Sequence, residues 1–143
     1  MQNSTAPPDT SNGQLKALRW ISTVLSILVV LMAFMIGEAL FGGQMDLVQD
    51  HGYLGNAIFA LAVIQVVLAF LQYQKGVVSR NLLLLSGLLI ILLFGQIGLG
   101  YTGTSGTTEA IVYHIPLGVL IMGVSTVNAV LFWVQPRQEP VVA

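Results

Sequence analysis

Long apolar segments alternate with short polar stretches along the chain, and this pattern predicts its elements. Four segments are apolar enough to lie in lipid: about Trp20 to Phe41, His51 to Leu71, Asn81 to Gly100 and His114 to Val134. Each reaches the roughly 20 residues with which an α-helix crosses the hydrocarbon core of a bilayer. None shows the two-residue alternation of a membrane β-strand. We therefore predict an all-α membrane protein with helices at about 18–41, 51–74, 81–100 and 114–134.

The connections between these helices are short, which predicts an antiparallel, up-down four-helix transmembrane bundle over residues 15–135. Residues 1–14 are rich in Ser, Thr, Asn and Pro, a composition typical of disordered segments. We predict that they form a disordered tail and that residues 136–143 form a second tail.

Basic residues are confined to one side of the predicted bundle. They precede the first helix, occupy the second connection or follow the fourth helix: Lys16, Arg19, Lys75, Arg80 and Arg137. The opposite side carries carboxylates and neither Lys nor Arg: Glu38, Asp46, Asp50 and Glu109. Because Lys and Arg are enriched in cytoplasmic loops, both termini and both tails are predicted to be cytoplasmic, in the cytoplasmic membrane of a prokaryote.

The second and fourth helices share a motif that contains the only two histidines. A shift of 63 residues superimposes five positions: His51 on His114, Leu54 on Leu117, Gly55 on Gly118, Gln65 on Asn128 and Gln72 on Gln135. A looser match relates Gly37-Glu38 in the first helix to Gly95-Gln96 in the third. These matches predict an internal duplication of a two-helix unit. Since the second and fourth helices of an up-down bundle are parallel diagonal partners, both histidines are predicted at one depth near the outer face.

Composition narrows the classes of function. Only 8% of the 143 residues are charged, which is far below the share in soluble domains and typical of a membrane protein. Four spanning helices take up most of these residues and leave no room for a soluble catalytic domain beside them. The absence of cysteine excludes disulfides, thiolate metal sites, iron–sulfur clusters and covalently attached c-type haem. The chain has no basic cluster of the kind that binds nucleic acid. Its first predicted partner is the lipid bilayer.

The paired histidines predict one haem b bound across the bundle interior. A haem iron takes one imidazole on each side, and His51 and His114 offer one such pair of axial ligands. Gly55, Gly118 and Gly52 leave space in which the flat macrocycle would fit. The alternative for these glycines is close packing of helices, and the alternative for each histidine is an ordinary interfacial position.

Four other residues near the histidines have predicted roles. Glu38 and Gln96 are candidates for polar contacts with a cofactor edge. Asp50 is predicted to be the N-cap of the second helix. Pro116 is predicted to stand in the first turn of the fourth helix, where proline is tolerated.

Other metal sites are less well supported by the polar side chains of the bundle. Zinc or non-haem iron takes three or four protein ligands, so carboxylates would have to complete a site that begins with two histidines. Gln65 and Asn128 lie about 21 Å deeper than the histidines along their helices, too far to bind the same iron. They are predicted to hydrogen-bond to each other between helices.

The two histidines, each at the outer start of a helix and each followed by a Leu-Gly pair, make the chain resemble one four-helix half of the haem A synthase family. It is equally similar to small four-helix membrane b-type cytochromes. The resemblance covers about residues 17–135 and implies that His51 and His114 are paired haem ligands. Two departures from the family count against haem hydroxylation: Val48 stands where the oxidising half has a glutamate, and Gly52 stands where an arginine commonly follows the histidine.

The sequence therefore predicts a membrane b-type haem protein that transfers electrons to or from a quinol or a larger respiratory or photosynthetic complex. Its predicted protein partners are such a complex or further copies of the same chain. Two alternatives stay open: a haem-free structural or assembly subunit of a membrane complex, and a haem-modifying enzyme. The outer side has no basic residue for the haem propionates, which favours the haem-free alternative. If haem is bound, its propionates would need a partner subunit, water or the outer hydroxyl groups: Tyr53, Tyr101, Tyr113, Thr102 and Thr104.

Overall fold

Four α-helices account for nearly all of the chain that the structure, a computed structural model, describes. The described residues are 10–135, with side chains from Gly13 onward. In chain order the helices are α1 (Thr10–Phe41), α2 (Asp46–Gln74), α3 (Arg80–Thr104) and α4 (Thr108–Val134). Each is long and apolar enough to cross a bilayer. The predicted all-α, four-helix transmembrane architecture is confirmed.

Each helix of the bundle packs against two neighbours. Helices α1 and α3 both pack on α2 and on α4, so α2 and α4 are diagonal partners. Arg19 Nε, near the start of α1, donates to Phe132 O, near the end of α4, at 2.9 Å. The described ends of the chain therefore lie at one end of the bundle, here called the terminal end. The opposite end, where His51 and His114 lie, is called the histidine end.

Helix α1 begins earlier than the sequence predicts. It is helical from Thr10, so residues 10–14 of the predicted tail belong to the helix. Residues 1–9 and 136–143, the rest of the predicted tails, lie outside the described residues.

Helices α2 and α4 also begin before the histidines, at Asp46 and Thr108. A carboxylate stands in the first turn of each helix, and its charge is favourable beside the positive end of the helix dipole: Asp46 in α2 and Glu109 in α4. The histidines consequently lie in the second turn of their helices rather than at the start.

The early helix starts overturn two predicted roles. Asp50 is not the N-cap of α2, because it lies inside the helix, and the N-cap is Met45. Pro116 is not in the first turn of α4 but in its interior. Since proline has no N–H, it leaves the carbonyl of Val112 without its helical donor close to His114.

The interior contains two apolar clusters. One lies towards the histidine end and includes Leu25, Ile58, Leu89 and Ile121. The other lies towards the terminal end: Leu18, Ala69, Val78, Leu82 and Phe132. Large apolar side chains on the outer surface are exposed, as expected of side chains that face lipid tails.

A buried polar group separates the two clusters. Gln65 Nε2 of α2 donates to Asn128 Oδ1 of α4 at 2.8 Å, which confirms the predicted hydrogen bond between these residues. Asn128 Nδ2 donates in turn to Ser86 Oγ of α3 at 3.0 Å. The hydroxyl of Ser86 donates to the carbonyl of Leu82 at 3.0 Å. One connected network therefore joins three of the four helices in the centre of the bundle.

Replacing Asn128 with alanine is expected to lower the free energy of unfolding by about 1–2 kcal/mol, because the amide of Gln65 then loses its shorter hydrogen bond in an apolar interior and keeps only the 3.4 Å contact with Ser86 Oγ. The measurement is reversible unfolding in mixed micelles. The double variant Gln65→Leu/Asn128→Leu removes both partners and is expected to recover part of the loss. A wild-type stability in Asn128→Ala would contradict the role given to this network.

Buried positions recur at a constant spacing in the two helix pairs. In α2 and α4 the spacing is 63 residues: Ile58 with Ile121, Ala62 with Ser125 and Gln65 with Asn128. In α1 and α3 it is 64 residues: Leu18 with Leu82, Ser22 with Ser86 and Leu25 with Leu89. The predicted match of Gly37-Glu38 with Gly95-Gln96 has a different spacing, so Gln96 corresponds in position to Met32 rather than to Glu38.

Candidate histidine site

The two histidines face each other across the bundle at the histidine end. Their ring centroids lie 6.2 Å apart and their ring planes are inclined at 54°. Both side chains are half-buried. The diagonal arrangement of α2 and α4 therefore brings together two imidazoles that are 63 residues apart in sequence.

Backbone carbonyls of the other two helices hold the rings in the same way. His51 Nδ1 lies 3.3 Å from Met32 O of α1, and His114 Nδ1 lies 3.0 Å from Gln96 O of α3. A carbonyl oxygen only accepts hydrogen bonds, so each Nδ1 carries the proton and donates. In a neutral imidazole the other nitrogen, Nε2, then keeps its lone pair. Each histidine is thus fixed in the tautomer that can bind a metal through Nε2.

The centroids of the two rings lie at about the separation that one metal ion between two imidazoles would require. Metal–imidazole bonds of about 2.0–2.1 Å on opposite sides of an ion would hold the two ring centroids about 6.3 Å apart. The observed 6.2 Å agrees with this value. The donor set is two neutral imidazoles, which is the axial ligand set of a six-coordinate b-type haem iron.

Of the three predicted glycines, two border space that a neighbouring side chain occupies and one borders open space. A Cβ on Gly55 would lie 3.3 Å from Met32 Cε, and a Cβ on Gly118 would lie 3.1 Å from Gln96 Nε2. The space at both positions is therefore filled by a flexible side chain. Gly52 is exposed and has no atom within 4 Å of such a Cβ.

Gly100 of α3 is a site residue that the sequence reasoning missed. A Cβ at this position would lie 3.2 Å from His114 Cε1, closer than ordinary van der Waals contact. The absence of a side chain lets the His114 ring lie against α3 and reach Gln96 O. The available signal was weak, because Gly100 closes a Gly-x-Gly sequence at the predicted end of the third helix, where glycines are common.

Of the two predicted polar contact residues, the structure brings Gln96 to the histidines. Its backbone binds His114, its amide lies over Gly118, and its Oε1 is buried without a hydrogen-bond partner. Glu38 is exposed near the end of α1, and its Oε2 would lie 2.6 Å from a Cβ on Gly42.

Within residues 10–135 no three His, Asp or Glu side chains are grouped so as to hold a metal ion. Among these residues, the carboxylates of the histidine end do not lie together with the two histidines in such a group. A metal bound by this pair would need most of its other ligands from a cofactor, and a porphyrin supplies four nitrogens.

No family model, curated protein or solved structure matches the chain. The resemblance to a half of haem A synthase is therefore still a prediction from short motifs. The geometry of the histidine pair is the basis on which a function can be inferred.

Proposed function

We propose that the protein is a membrane b-type haem protein in which His51 and His114 are the axial ligands. The observation that carries this proposal is the pair of half-buried imidazoles 6.2 Å apart, each anchored through Nδ1 to a backbone carbonyl. The proposed work is electron transfer to or from a quinol or a larger respiratory or photosynthetic complex.

The residues of the site would hold the haem in defined ways. The carbonyls of Met32 and Gln96 fix the orientation of the two rings and make their Nε2 atoms better electron donors. When bound, haem supplies an iron that cycles between the ferric and ferrous states. The half-buried side chains of Leu54 and Leu117 give the site apolar walls, and such burial tunes the reduction potential.

Entry of the macrocycle requires that two side chains move. Those of Met32 and Gln96 fill the space over Gly55 and Gly118. Both are long and unbranched, so they can adopt other rotamers without movement of the backbone. The buried, unpartnered Oε1 of Gln96 also gains a route to a hydrogen-bond partner when its amide moves.

Tyrosine hydroxyls at the histidine end can take the place of basic residues for the propionates. Tyr101 OH accepts from Asn56 Nδ2 and Tyr53 OH accepts from Gln49 Nε2, both at 2.8 Å. Because each hydroxyl acts here as an acceptor, its own proton is free for a carboxylate.

The proposal also includes the orientation of the bundle in the membrane and its origin by duplication of a helix pair. The terminal end carries basic residues, which supports a cytoplasmic location of both termini in a prokaryotic membrane: Lys16, Arg19, Lys75 and Arg80. The recurring spacing of buried positions supports a duplicated helix pair. The haem would then lie in the outer half of the membrane.

A haem-free structural or assembly subunit is the second candidate. It is favoured by the same side chains of Met32 and Gln96, which fill the glycine space and pack the histidine end without a cofactor. A haem-modifying enzyme has less support, because Val48 places an apolar side chain where the oxidising half of haem A synthase carries its acid.

An optical spectrum separates the two candidates. Wild-type protein purified from haem-replete cells is expected to show the α band of a low-spin b-type haem when reduced. The double variant His51→Ala/His114→Ala is expected to be colourless, whereas the control Tyr73→Phe keeps the spectrum, since Tyr73 is exposed in the last turn of α2, at the end of the bundle away from the site. A folded, colourless wild-type protein would favour the haem-free subunit.

A further inference from the structure

We propose that the outer seam between α1 and α4 binds one anionic phospholipid from the leaflet at the terminal end of the bundle. The lipid phosphate binds at Arg19, and one acyl chain lies along the seam. Neither the histidines nor a haem takes part in this site.

Two cavities follow each other along the lipid-facing seam between α1 and α4. The first has a volume of about 310 Å³ and lies in the half of the bundle next to the terminal end. Side chains of both helices line it, including Thr23, Ser26, Ile27, Thr126, Val130 and Trp133. The second, of about 300 Å³, begins one turn further from that end and is lined by Val30, Ala33, Phe34 and Met122. The two cavities together are here called the α1–α4 groove.

The α1–α4 groove is about as long as one leaflet of the hydrocarbon core is thick. Along α1 it runs from Thr23 to Phe34. At 1.5 Å per residue this distance is about 16 Å. Half of a hydrocarbon core of roughly 30 Å is about 15 Å. An acyl chain that enters at the terminal end therefore fits in the groove over the depth of its own leaflet.

The hydroxyl groups in the groove are already bonded within the bundle. Thr126 Oγ1 donates to a backbone carbonyl of its own helix at 2.8 Å, so Ser26 Oγ is the donor in its 3.1 Å hydrogen bond with Thr126 Oγ1. Thr23 Oγ1 donates to Arg19 O at 2.8 Å and accepts from Trp133 Nε1 at 2.9 Å. These three hydroxyls have no proton left for a polar ligand, so the groove is suited to hydrocarbon.

Arg19 places a positive charge at the terminal end of the groove. Its Nε donates to Phe132 O at 2.9 Å, and its Cζ lies 5.5 Å from the centroid of the Trp133 ring. The two contacts fix the planar guanidinium beside the groove, and the hydrogen bond uses only one of its five N–H donors. A guanidinium binds a phosphate through two parallel N–H donors. Arg19 is therefore oriented to bind the phosphate of a lipid whose chain lies in the groove.

Lys16 and two tryptophans lie at the same end of the groove. Lys16 is exposed and stands three residues before Arg19, so both basic side chains lie on one face of α1. Trp20 packs edge-on against Trp133, with ring centroids 5.6 Å apart. Tryptophan is enriched at the depth of lipid headgroups, and basic groups between helices at that depth bind anionic headgroups. These residues therefore place Arg19 at the level of the lipid phosphates.

The charges of the bundle favour a lipid over a second copy of the chain as the occupant of the groove. Among residues 10–135 the carboxylates all lie towards the histidine end: Glu38, Asp46, Asp50 and Glu109. A second copy in the same orientation would bring basic residues towards Lys16 and Arg19 and no carboxylate of this part of the chain. An anionic phospholipid supplies a negative charge at the depth of Arg19.

Tryptophan fluorescence provides the test, because the chain has only two tryptophans and both lie at the groove: Trp20 and Trp133. Lipids with dibrominated acyl chains quench tryptophan on contact. The full chain is reconstituted in phosphatidylcholine vesicles that contain a small, fixed share of brominated phosphatidylglycerol or of brominated phosphatidylcholine. We expect the quenching to show at least about fivefold stronger binding of phosphatidylglycerol, as one basic residue near lipid headgroups provides.

Three variants assign this preference to its residues. Arg19→Gln is expected to bring the affinity ratio of the two lipids close to one. Lys16→Gln changes an exposed side chain, is expected to lower the ratio in the same direction, and decides the question if Arg19→Gln does not fold. Arg80→Gln is the matched control, because it removes the same charge at the same end from α3, which is diagonal to α1. It is expected to keep the wild-type ratio.

Several results would overturn the proposal. Equal quenching by the two brominated lipids would show that the groove does not select an anionic headgroup, and no quenching by either would show that another protein chain covers it. A wild-type ratio in the variants of Arg19 and Lys16, or an equal loss in Arg80→Gln, would contradict the role of Arg19. Soluble glycerol phosphate, added at constant ionic strength, is not expected to relieve the quenching. Relief would show that the site takes a free phosphate and not a lipid.

Discussion

Replacing Gly100 with leucine is expected to reduce haem occupancy by about tenfold or more, as the loss of a group that orients a metal ligand does elsewhere. A Cβ at this position would already lie 3.2 Å from His114 Cε1, and the larger side chain of leucine would displace the ring. His114 Nδ1 would then lose its hydrogen bond to Gln96 O. Haem content per chain, measured on purified protein, gives the result.

Gly98 provides the matched control for this substitution. It lies two residues away on α3, is exposed, and has no atom within 4 Å of an added Cβ. Gly98→Leu is therefore expected to keep wild-type haem content, since leucine is favourable towards lipid. Equal haem loss in both variants would show that a leucine at either glycine disturbs the packing of α3, and would contradict a specific role of Gly100 in placing the His114 ring.

The largest loss of stability is expected for Phe132→Ala. Phe132 is fully buried and packs in the cluster of Leu18, Ala69 and Leu82 at the terminal end. Lipid tails are as apolar as this interior, so removing the phenyl ring from it forfeits little transfer free energy. The cavity that the ring leaves behind still destabilises the bundle. We expect the free energy of unfolding in bicelles to fall by about 2–3 kcal/mol.

Phe34→Ala is the control for the cavity, because the side chain of Phe34 is 70% exposed on the outer surface of α1. Its removal leaves a gap that lipid or detergent fills, so little change in stability is expected. Comparable losses for Phe34→Ala and Phe132→Ala would contradict the packing described for the terminal end.

Much of the fold follows from the sequence because lipid leaves few choices. Apolar segments of spanning length must be helical, since their backbone groups find no partner in the hydrocarbon core. Short connections then fix an up-down order and make α2 and α4 diagonal partners. The hydrogen bond between Gln65 and Asn128 was predictable for the same reason, because two long polar side chains at one depth in an apolar interior are stabilised by bonding to each other.

The helix starts were less predictable, because hydropathy marks where a segment enters lipid and not where its helix begins. Polar residues such as Asp50 lie beyond the apolar segment but still within the helix. The first turns of α2 and α4 extend past the predicted lipid boundary and carry the carboxylates of Asp46 and Glu109. Apart from these two carboxylates, such extensions depend on backbone hydrogen bonds, which leave little trace in the sequence.

Within the site, the sequence predicts the two histidines of the repeated motif and misses Met32 and Gly100, which belong to no repeated pattern. His51 and His114 stand out as the only copies of their residue type. Met32 contacts the site through its carbonyl oxygen and a methyl group, and neither contact leaves a pattern in a helix rich in apolar residues. Gly100 contributes by lacking a side chain. Both roles depend on the rotation of α1 and α3 about their axes, which packing sets.

The measurement that tests the central claim most directly is the haem-to-protein ratio of the wild-type chain, purified in mild detergent from cells with ample haem. The account predicts one haem b per chain with both axial positions taken by imidazole. A folded, helical protein that contains no haem, and that takes none up when haem is added in excess, would contradict it.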